Sequence, residues 1–391
     1  MVARFNHGLS MYYEKMEIDS PRKGSDIYIF ALSRADFWLL LPLAEEISRL
    51  NPGKTHLIIS GLVEVEDFGS FSKDLKPHVV LKDFSVHRRT PLEILSALLV
   101  ELSSQFEFKN DSKGILLGDR YETVGLAMAL DLLNIPFAHI SGGESTPNSS
   151  DDKYRKCISI LAALHFPPLP EHSDALRELG IEDKSILEVG YLGWDNVQNP
   201  APASSRYLDL TNEYKTILFT YHPNSKSLSK VESEVEILIA GLTKILEHDS
   251  KIYILITSSN HDLGGDLINN ALVNWTLEHS SRSKFVSQLG ADYYGVMSRC
   301  KIVAGNSSSG IVEATKAGVK VLNIGDRQTG RSDSSLVTHC KLDADEIYVQ
   351  TLELLESPET IQNSDLFQEG KVLVREKIAI RLMQKTEKGE F

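Results

Sequence analysis

Short runs of apolar residues alternate with longer segments of helical spacing along almost the whole chain. In the first half, the apolar runs predict strands, and the segments with apolar residues every three or four positions predict helices. The strands are apolar throughout, which is typical of a parallel sheet covered by helices on both faces. The predicted strands here are Ile27–Leu32, Leu57–Ser60, Gly114–Gly118 and Pro136–Ile140, and the predicted helices are Ala35–Leu50, Pro91–Phe106, Tyr121–Leu133 and Asp151–Leu164.

A segment rich in Pro, Ala and Ser, from Gln198 to Ser205, interrupts the alternation and is typical of an interdomain linker. After it come the predicted strands Thr216–Thr220, Ile252–Thr257, Ile302–Ala304 and Val319–Ile324 and the predicted helices Val231–Leu246, Ile311–Ala317 and Gln368–Gln384. The pattern predicts an α/β protein with two Rossmann-like, doubly wound domains that face each other across a cleft. We place an N-terminal extension at 1–25, the domains at 26–197 and 206–365, and a C-terminal helix that packs back on the first domain at 366–391.

Composition and charge exclude several classes of protein. The 391 residues are 42% hydrophobic and 24% charged, which is ordinary for a globular protein and excludes collagen-like, coiled-coil and wholly disordered chains. With 41 Lys and Arg against 54 Asp and Glu, the net charge is −13, so neither nucleic acid nor an anionic membrane is an expected partner. The three scattered cysteines, the polar N-terminus and the lack of a long apolar span predict a soluble, cytoplasmic protein.

Two loops that follow successive predicted strands of the second domain have the residues of a phosphate site. Gly305–Gly310 places three serine hydroxyls at the start of a helix, where free N–H groups suit a phosphate, and Glu313 lies one turn further for ribose hydroxyls. The next loop, Gly325–Arg331, contains two arginines that suit a diphosphate. A serine-rich helix cap and a solvated surface loop remain the structural alternatives.

Charged residues also follow the strands of the first domain. Asp36 and Asp119 each follow a strand, as does Glu144, and Asp151 opens a helix with Arg155 on the same face. Helix capping and an exposed ion pair would explain any one of these loops. Four such loops at the carboxyl ends of strands favour a site in the cleft, where ligands bind in folds of this class.

Two further candidates carry weaker signals. His222 ends the first strand after the linker and would be able to donate to a phosphate or a leaving oxygen, although a single His is more often structural. A metal site built from Asp119, Glu144, Asp151 and Asp152 is disfavoured, because these residues lack a recognised ligand spacing.

In sequence order, the motifs resemble those of the hydrolysing UDP-N-acetylglucosamine 2-epimerases of sialic and legionaminic acid biosynthesis. The resemblance covers roughly residues 26 to 340. The matching runs are Ser33–Asp36, Gly118–Glu122, Ala138–Ile140 with Gly142–Glu144, Asp151–Asp152 with Arg155, Tyr221–Pro223, Gly305–Ala314 and Asn323–Arg331.

The resemblance implies a GT-B-like fold, a UDP-sugar substrate, a homo-oligomer (dimer or tetramer), and a reaction without metal or cofactor. UDP leaves C1 while the C2 proton is removed, and water then adds to the resulting glycal with C2 inverted, which releases UDP and the free manno sugar. The C2 proton is not acidic, because no carbonyl is adjacent to it. UDP departure is therefore expected to lead, with carboxylates stabilising charge at C1 and moving protons.

Carried over residue by residue, the resemblance implies two sets of functional residues. The catalytic set is Asp119, Asp151, Asp152, Arg155 and Glu144, in which Asp151 and Asp152 are not separated. The UDP-binding set is Arg34, His222, Asn306, Ser307, Ser308, Ser309, Glu313, Arg327, Gln328 and Arg331.

The chain departs from the family pattern only in its sugar-facing half. Ser141 stands where many members carry a Glu, and Val63, Lys156 and Ile160 stand where His, His and Lys are expected. We therefore expect UDP binding to be preserved and the sugar to differ from N-acetylglucosamine, as in a 4-acetamido-6-deoxy analogue. A catalytically silent UDP-sugar-binding or regulatory protein and a GT-B glycosyltransferase remain the alternatives.

Overall fold

The computed structural model describes residues 25–60, 71–80, 90–145, 151–198, 200, 203–224, 227–260, 263–328, 334–358 and 372–391, without the side chains of Arg34 and Arg206. These residues form two compact units. The first unit contains the described residues up to 195 and those from 372 onwards, and the second contains the described residues from 196 to 358. None of the described helices is long and apolar enough to span a bilayer.

A six-stranded parallel sheet in the order β3-β2-β1-β4-β5-β6 forms the centre of the first unit. Its strands are β1 (Ile27–Ala31), β2 (Thr55–Ser60), β3 (Leu75–Val80), β4 (Lys113–Leu117), β5 (Phe137–Ile140) and β6 (Leu164–Phe166). Its helices are α1 (Arg34–Leu50), α2 (Pro91–Gln105), α3 (Tyr121–Leu132), α4 (Asp151–Leu161), α5 (Pro170–Glu178) and the start of α6 (Gly193–Gln198), joined by α12 (Val374–Glu387) from the end of the chain.

The second unit has a sheet of the same kind, in the order β12-β11-β10-β7-β8-β9 and also parallel. Its strands are β7 (Lys215–Thr220), β8 (Ile252–Thr257), β9 (Ser283–Val286), β10 (Ile302–Gly305), β11 (Lys320–Ile324) and β12 (Val337–Cys340). Its helices are α7 (Ser205–Glu213), α8 (Leu228–His248), α9 (Gly265–Glu278), α10 (Tyr293–Met297) and α11 (Ala344–Glu356), with a π-helical turn at Gly310–Ala314.

Local sequence signals explain where several elements begin. Ser33 caps α1 by accepting the N–H of Asp36 at 3.2 Å, and Thr90 and Glu93 form a reciprocal capping box at the start of α2. All six residues of β8 are buried, as its run of five apolar residues predicts.

Both sheets have the doubly wound strand order, which determines where the candidate residues lie in each unit. The chain reverses its direction of winding between β1 and β4 in the first unit and between β7 and β10 in the second. The crevice at the carboxyl ends of such a strand pair is where folds of this class bind ligands. The predicted fold class of two Rossmann-like, doubly wound domains is confirmed.

Three differences from the sequence-based prediction have a clear physical reason. The helix predicted over Asp151–Leu164 ends at Leu161, because Leu164 already pairs with Ala138 in the sheet. The last helix begins at Val374, where the carboxylate of Asp195 accepts the N–H groups of Val374 and Arg375 at 2.8 Å each. β3 was not predicted, because its sequence LKPHVV has polar residues and a proline, which an edge strand tolerates.

Candidate active site

Arg155 is the centre of the polar cluster in the first unit. It lies on α4 and is 4% exposed, so it is not the exposed partner of Asp151 that helical spacing allows. Its Nη2 pairs with the carboxylate of Asp119, which follows β4, and its Nη1 donates to the carbonyl oxygen of Glu144 at 2.9 Å. One buried guanidinium therefore ties the loops after β4 and β5 to the same helix.

The loop after β5 brings Glu144 into this cluster through a glycine pair. Gly143 has a φ of +81°, and a Cβ there would lie 2.1 Å from the carbonyl oxygen of His172 on α5. Only glycine fits this backbone without displacing α5. The close packing leaves Glu144 6% exposed, beside Arg155.

Of the two aspartates that open α4, Asp152 has a charged partner on the same helix. Asp152 forms an ion pair with Lys156, one turn along the helix, at 2.9 Å. Lys156 stands where a His was expected, and its side chain is 55% exposed. Of the other departures, Ile160 is 61% exposed, Ser141 has a left-handed φ of +66°, and Val63 lies outside the described residues.

The loop after β1 contains Asp36, a titratable group that the sequence placed after a strand but did not assign to the catalytic or the UDP-binding set. Desolvation raises the pKa of Asp36 to about 6, outweighing the neighbouring charge of Arg120, which lowers it. Arg120 in turn pairs through Nη2 with Glu122, whose side chain is 1% exposed, at 3.0 Å. The position of Asp36 after a strand was a visible signal, but its pKa depends on burial that the sequence does not reveal.

We expect Asp36→Asn to stabilise the protein at pH 7.5 and to leave its stability unchanged near pH 4. A raised carboxyl pKa stabilises the folded state below the unfolded pKa, and this contribution is lost as pH rises through about 6. The difference at pH 7.5 should be at most about 3 kcal/mol, since one pKa unit corresponds to 1.36 kcal/mol. Urea unfolding at both pH values measures it, and equal effects at both would contradict this assignment.

In the second unit, Asn306 joins the ends of β7 and β10. Its Oδ1 accepts the N–H of His222 at 2.7 Å, and its Nδ2 donates to the carbonyl oxygen of the same residue at 2.8 Å. The amide of Asn306 thus satisfies both backbone groups of His222, and the side chain is 1% exposed. This fixes the loop that carries His222 at the point where the sheet changes winding direction.

The ring of His222 is oriented by a backbone group that sequence reasoning missed. Its Nδ1 accepts the N–H of Asn260 at 3.0 Å, so this nitrogen carries no proton. The neutral ring therefore holds its proton on Nε2 and is able to donate from that atom.

The serine turn after β10 is held by hydroxyl contacts. Ser309 Oγ lies 2.6 Å from the hydroxyl of Tyr293 and 3.1 Å from Ser307 Oγ, while Ser308 is exposed. Glu313 lies in the π-helical turn that follows and is 9% exposed. Single π-helical turns of this kind occur frequently at functional sites.

Gln328 and Arg327, after β11, reach back to this turn. Gln328 Nε2 donates to the carbonyl oxygen of Asn306 at 3.0 Å, and Arg327 Nη1 approaches the same oxygen at 3.4 Å. The structure thus joins the predicted residues His222, Asn306, Arg327 and Gln328 in one network. Arg331 and the side chain of Arg34 lie outside the described residues.

The family model described as UDP-N-acetylglucosamine 2-epimerase matches residues 54–380. The chain belongs to this family. The resemblance found in the motifs is confirmed, and with it the prediction of a hydrolysing UDP-sugar 2-epimerase enzyme.

Two relatives within the 2-epimerase family are bacterial proteins of nearly the same length. A GDP/UDP-N,N'-diacetylbacillosamine 2-epimerase (hydrolyzing) of Campylobacter jejuni is 30% identical, with 86% of this chain and 89% of the relative covered. A UDP-N,N'-diacetylbacillosamine 2-epimerase (hydrolyzing) of Legionella pneumophila is 25% identical, with 88% and 92% covered.

A solved structure of Staphylococcus aureus MnaA with UDP has the same fold. It superposes with a TM-score of 0.67 at 14% identity, covering 93% of this chain and 97% of its own. The similarity confirms that the fold is that of the GT-B-like 2-epimerases.

Proposed function

We propose that this 2-epimerase acts on a UDP-linked 2,4-diacetamido-6-deoxy sugar of the N,N'-diacetylbacillosamine type. The catalytic part of the proposal rests on the contact of Arg155 with both Asp119 and the Glu144 loop, at the carboxyl ends of β4 and β5. The two bacterial relatives support the choice of sugar, as do the departures at Ser141 and Lys156 in the sugar-facing half of the motif set.

We assign the proton transfers to the first domain, residues 26–197. The bond between C1 and the UDP oxygen breaks first, and a carboxylate, Asp119 or Asp151, accepts the C2 proton to give the glycal. Water then adds its hydroxyl to C1, and a carboxyl group returns a proton to C2 from the opposite face. Glu144 is the candidate for this second group, and Arg155 orients Asp119 during both steps.

We assign UDP binding to the second domain, residues 206–365. The serine turn Ser307–Ser309 would bind phosphate through hydroxyl and backbone N–H groups, with Arg327 and Arg331 neutralising charge and Glu313 binding the ribose. His222 would donate from Nε2 to a diphosphate oxygen as UDP leaves, which its contact with Asn260 supports. The chain would act as a homo-oligomer in the cytoplasm and need no cofactor.

The test is an NMR assay in deuterated water with EDTA present. UDP-N-acetylglucosamine and its 4-acetamido-6-deoxy analogue are supplied separately, and UDP release and deuterium at C2 are followed. We expect faster release from the analogue, with deuterium at C2 and a manno product. Faster turnover of UDP-N-acetylglucosamine would refute the choice of sugar, and UDP-sugar binding without release would favour the silent alternative.

We expect Asp151→Asn to reduce kcat more than Asp152→Asn. The family resemblance makes Asp151 a candidate for proton transfer, which contributes about 10²-fold or more, and the carboxylate of Asp152 forms an ion pair with Lys156. The two variants remove the same charge at adjacent positions in the first turn of α4, so each is the control for the other. A larger loss in Asp152→Asn would reverse the assignment.

A further inference from the structure

A buried histidine that no step above uses, His139, lies among the catalytic loops of the first unit. It is on β5 with no exposed surface. One ring nitrogen, Nε2, lies 2.8 Å from the carbonyl oxygen of Gly118, and the other, Nδ1, lies 3.0 Å from Ser159 Oγ. A carbonyl oxygen only accepts, so Nε2 carries the proton, and the hydroxyl of Ser159 donates to Nδ1.

The imidazole keeps this arrangement over the whole physiological range. Burial lowers the pKa of His139 to about 3, so the ring stays neutral. A neutral ring that donates from one nitrogen and accepts at the other fits a structural link between two fixed groups, and not a proton carrier.

The carbonyl that His139 holds belongs to the peptide bond leading into Asp119. Gly118 has a φ of +78°, which is accessible to glycine and strained for other residues. Its N–H donates to the carbonyl oxygen of Ile140 at 3.1 Å, so both backbone groups of Gly118 are fixed by β5. The direction in which Asp119 leaves the strand is therefore set by these two hydrogen bonds.

The helix α4 holds the same aspartate at its other end. Arg155 pairs with the Asp119 carboxylate, and Ser159, four residues later on the same helix face, donates to His139. Gly142 packs directly against this link, since a Cβ there would lie 3.0 Å from both His139 Nδ1 and Ser159 Oγ. The β4 loop, the β5 loop and α4 thus meet at one imidazole ring.

We propose that His139 is a positioning residue that fixes the Gly118–Asp119 peptide and thereby sets the contact between Asp119 and Arg155. Its catalytic consequence rests on the proposed role of Asp119 in proton transfer. The link accounts for a buried polar histidine within an otherwise apolar strand.

Two amide variants separate positioning from packing. The amide of Gln reaches the place of Nε2 and retains the donor to Gly118, whereas the shorter amide of Asn reaches only the place of Nδ1 and loses that donor. We expect His139→Asn to lower kcat tenfold or more and to leave KM little changed. The loss is of this size because small displacements of a catalytic group have effects of this order in enzymes. His139→Gln should retain most of kcat.

Ile115→Val is the matched control for loss of stability, because Ile115 is a fully buried residue of β4 in the apolar cluster that also contains Ala138 and Ile140. Equal losses of kcat in the Gln and Asn variants, or a loss confined to KM, would overturn the proposal. So would a similar loss of kcat in Ile115→Val at equal melting temperature.

A second measurement does not depend on turnover. In protein with ¹³C-labelled Asp carboxyl groups, assigned by comparison with Asp119→Asn, the Asp119 titration is followed in each variant. Loss of the Arg155 contact should move it to higher pH in His139→Asn and not in His139→Gln, because a nearby cation favours the carboxylate. An unchanged Asp119 titration in His139→Asn would overturn the proposal, even if the enzyme is active. If the wild-type protein is inactive on all UDP-sugars, the proposed function is refuted, but this titration still tests the positioning role of His139.

Discussion

Asp119→Asn is expected to lower kcat by about 10³-fold, within the range of 10²–10⁴ that a positioned acid or base contributes. The amide is unable to accept the C2 proton, and it also replaces the charged partner of Arg155. UDP binding should be retained, because all the residues that we assign to it except Arg34 belong to the second unit. NMR turnover in deuterated water and calorimetric titration with UDP measure the two quantities on the same preparation.

Asp119→Asn is also expected to lower the stability of the protein, because Arg155 is buried and loses its charged partner. Removing one member of a buried pair destabilises by roughly 3–5 kcal/mol, and the 23% exposure of the Asp119 side chain should reduce this cost. Asp131→Asn, at an exposed position on α3, controls for loss of a carboxylate from the same unit. If the kcat of the Asp119→Asn variant is within threefold of the wild-type value, Asp119 does not take part in the proton transfer.

The parts of the fold that the sequence predicted are those in which local pattern and burial agree. Every residue of β1 and β8 is buried, and both strands are apolar except for Thr257 at the end of β8, so the sequence pattern and the environment agree. β3 and β12 lie at the edges of their sheets and are half-exposed, so their polar residues gave no strand signal. Edge position depends on the strand order, which no local pattern contains.

The candidate site shows the same division between local and long-range information. Spacing along α4 placed Asp151 and Arg155 on one face of the helix, but it did not reveal that Arg155 pairs with Asp119, 36 residues away. The role of His222 was weakly indicated by its place after β7, whereas the N–H of Asn260 that orients its ring comes from a backbone group, which side-chain identity does not encode. His139 was visible only as part of a motif, because its two contacts depend on three segments meeting in space.

Gly305→Ala is expected to abolish UDP binding, because this glycine sets the approach of β10 to β7 at the serine turn. Gly305 has a φ of +125°, and a Cβ would lie 1.8 Å from the carbonyl oxygen of Thr220. Backbone atoms at that distance have to move apart, and the Asn306 amide would then lose its two hydrogen bonds to His222. Strain and the loss of a buried network together place the destabilisation at more than about 4 kcal/mol.

Gly310→Ala is the matched control, since it makes the same substitution five residues later, in the same turn. A Cβ at Gly310 would lie 3.4 Å from Val321 Cγ1, which is ordinary contact, and its φ is not in the left-handed region. Hydrogen exchange of the β7 and β10 amides and calorimetric titration with UDP should change strongly in Gly305→Ala and little in Gly310→Ala. Retained UDP affinity in a folded Gly305→Ala variant would mean that the serine turn does not bind the diphosphate. Loss of UDP affinity, together with faster hydrogen exchange only around β7 and β10, would show that UDP binding depends on the contact between β7 and β10 that Asn306 holds.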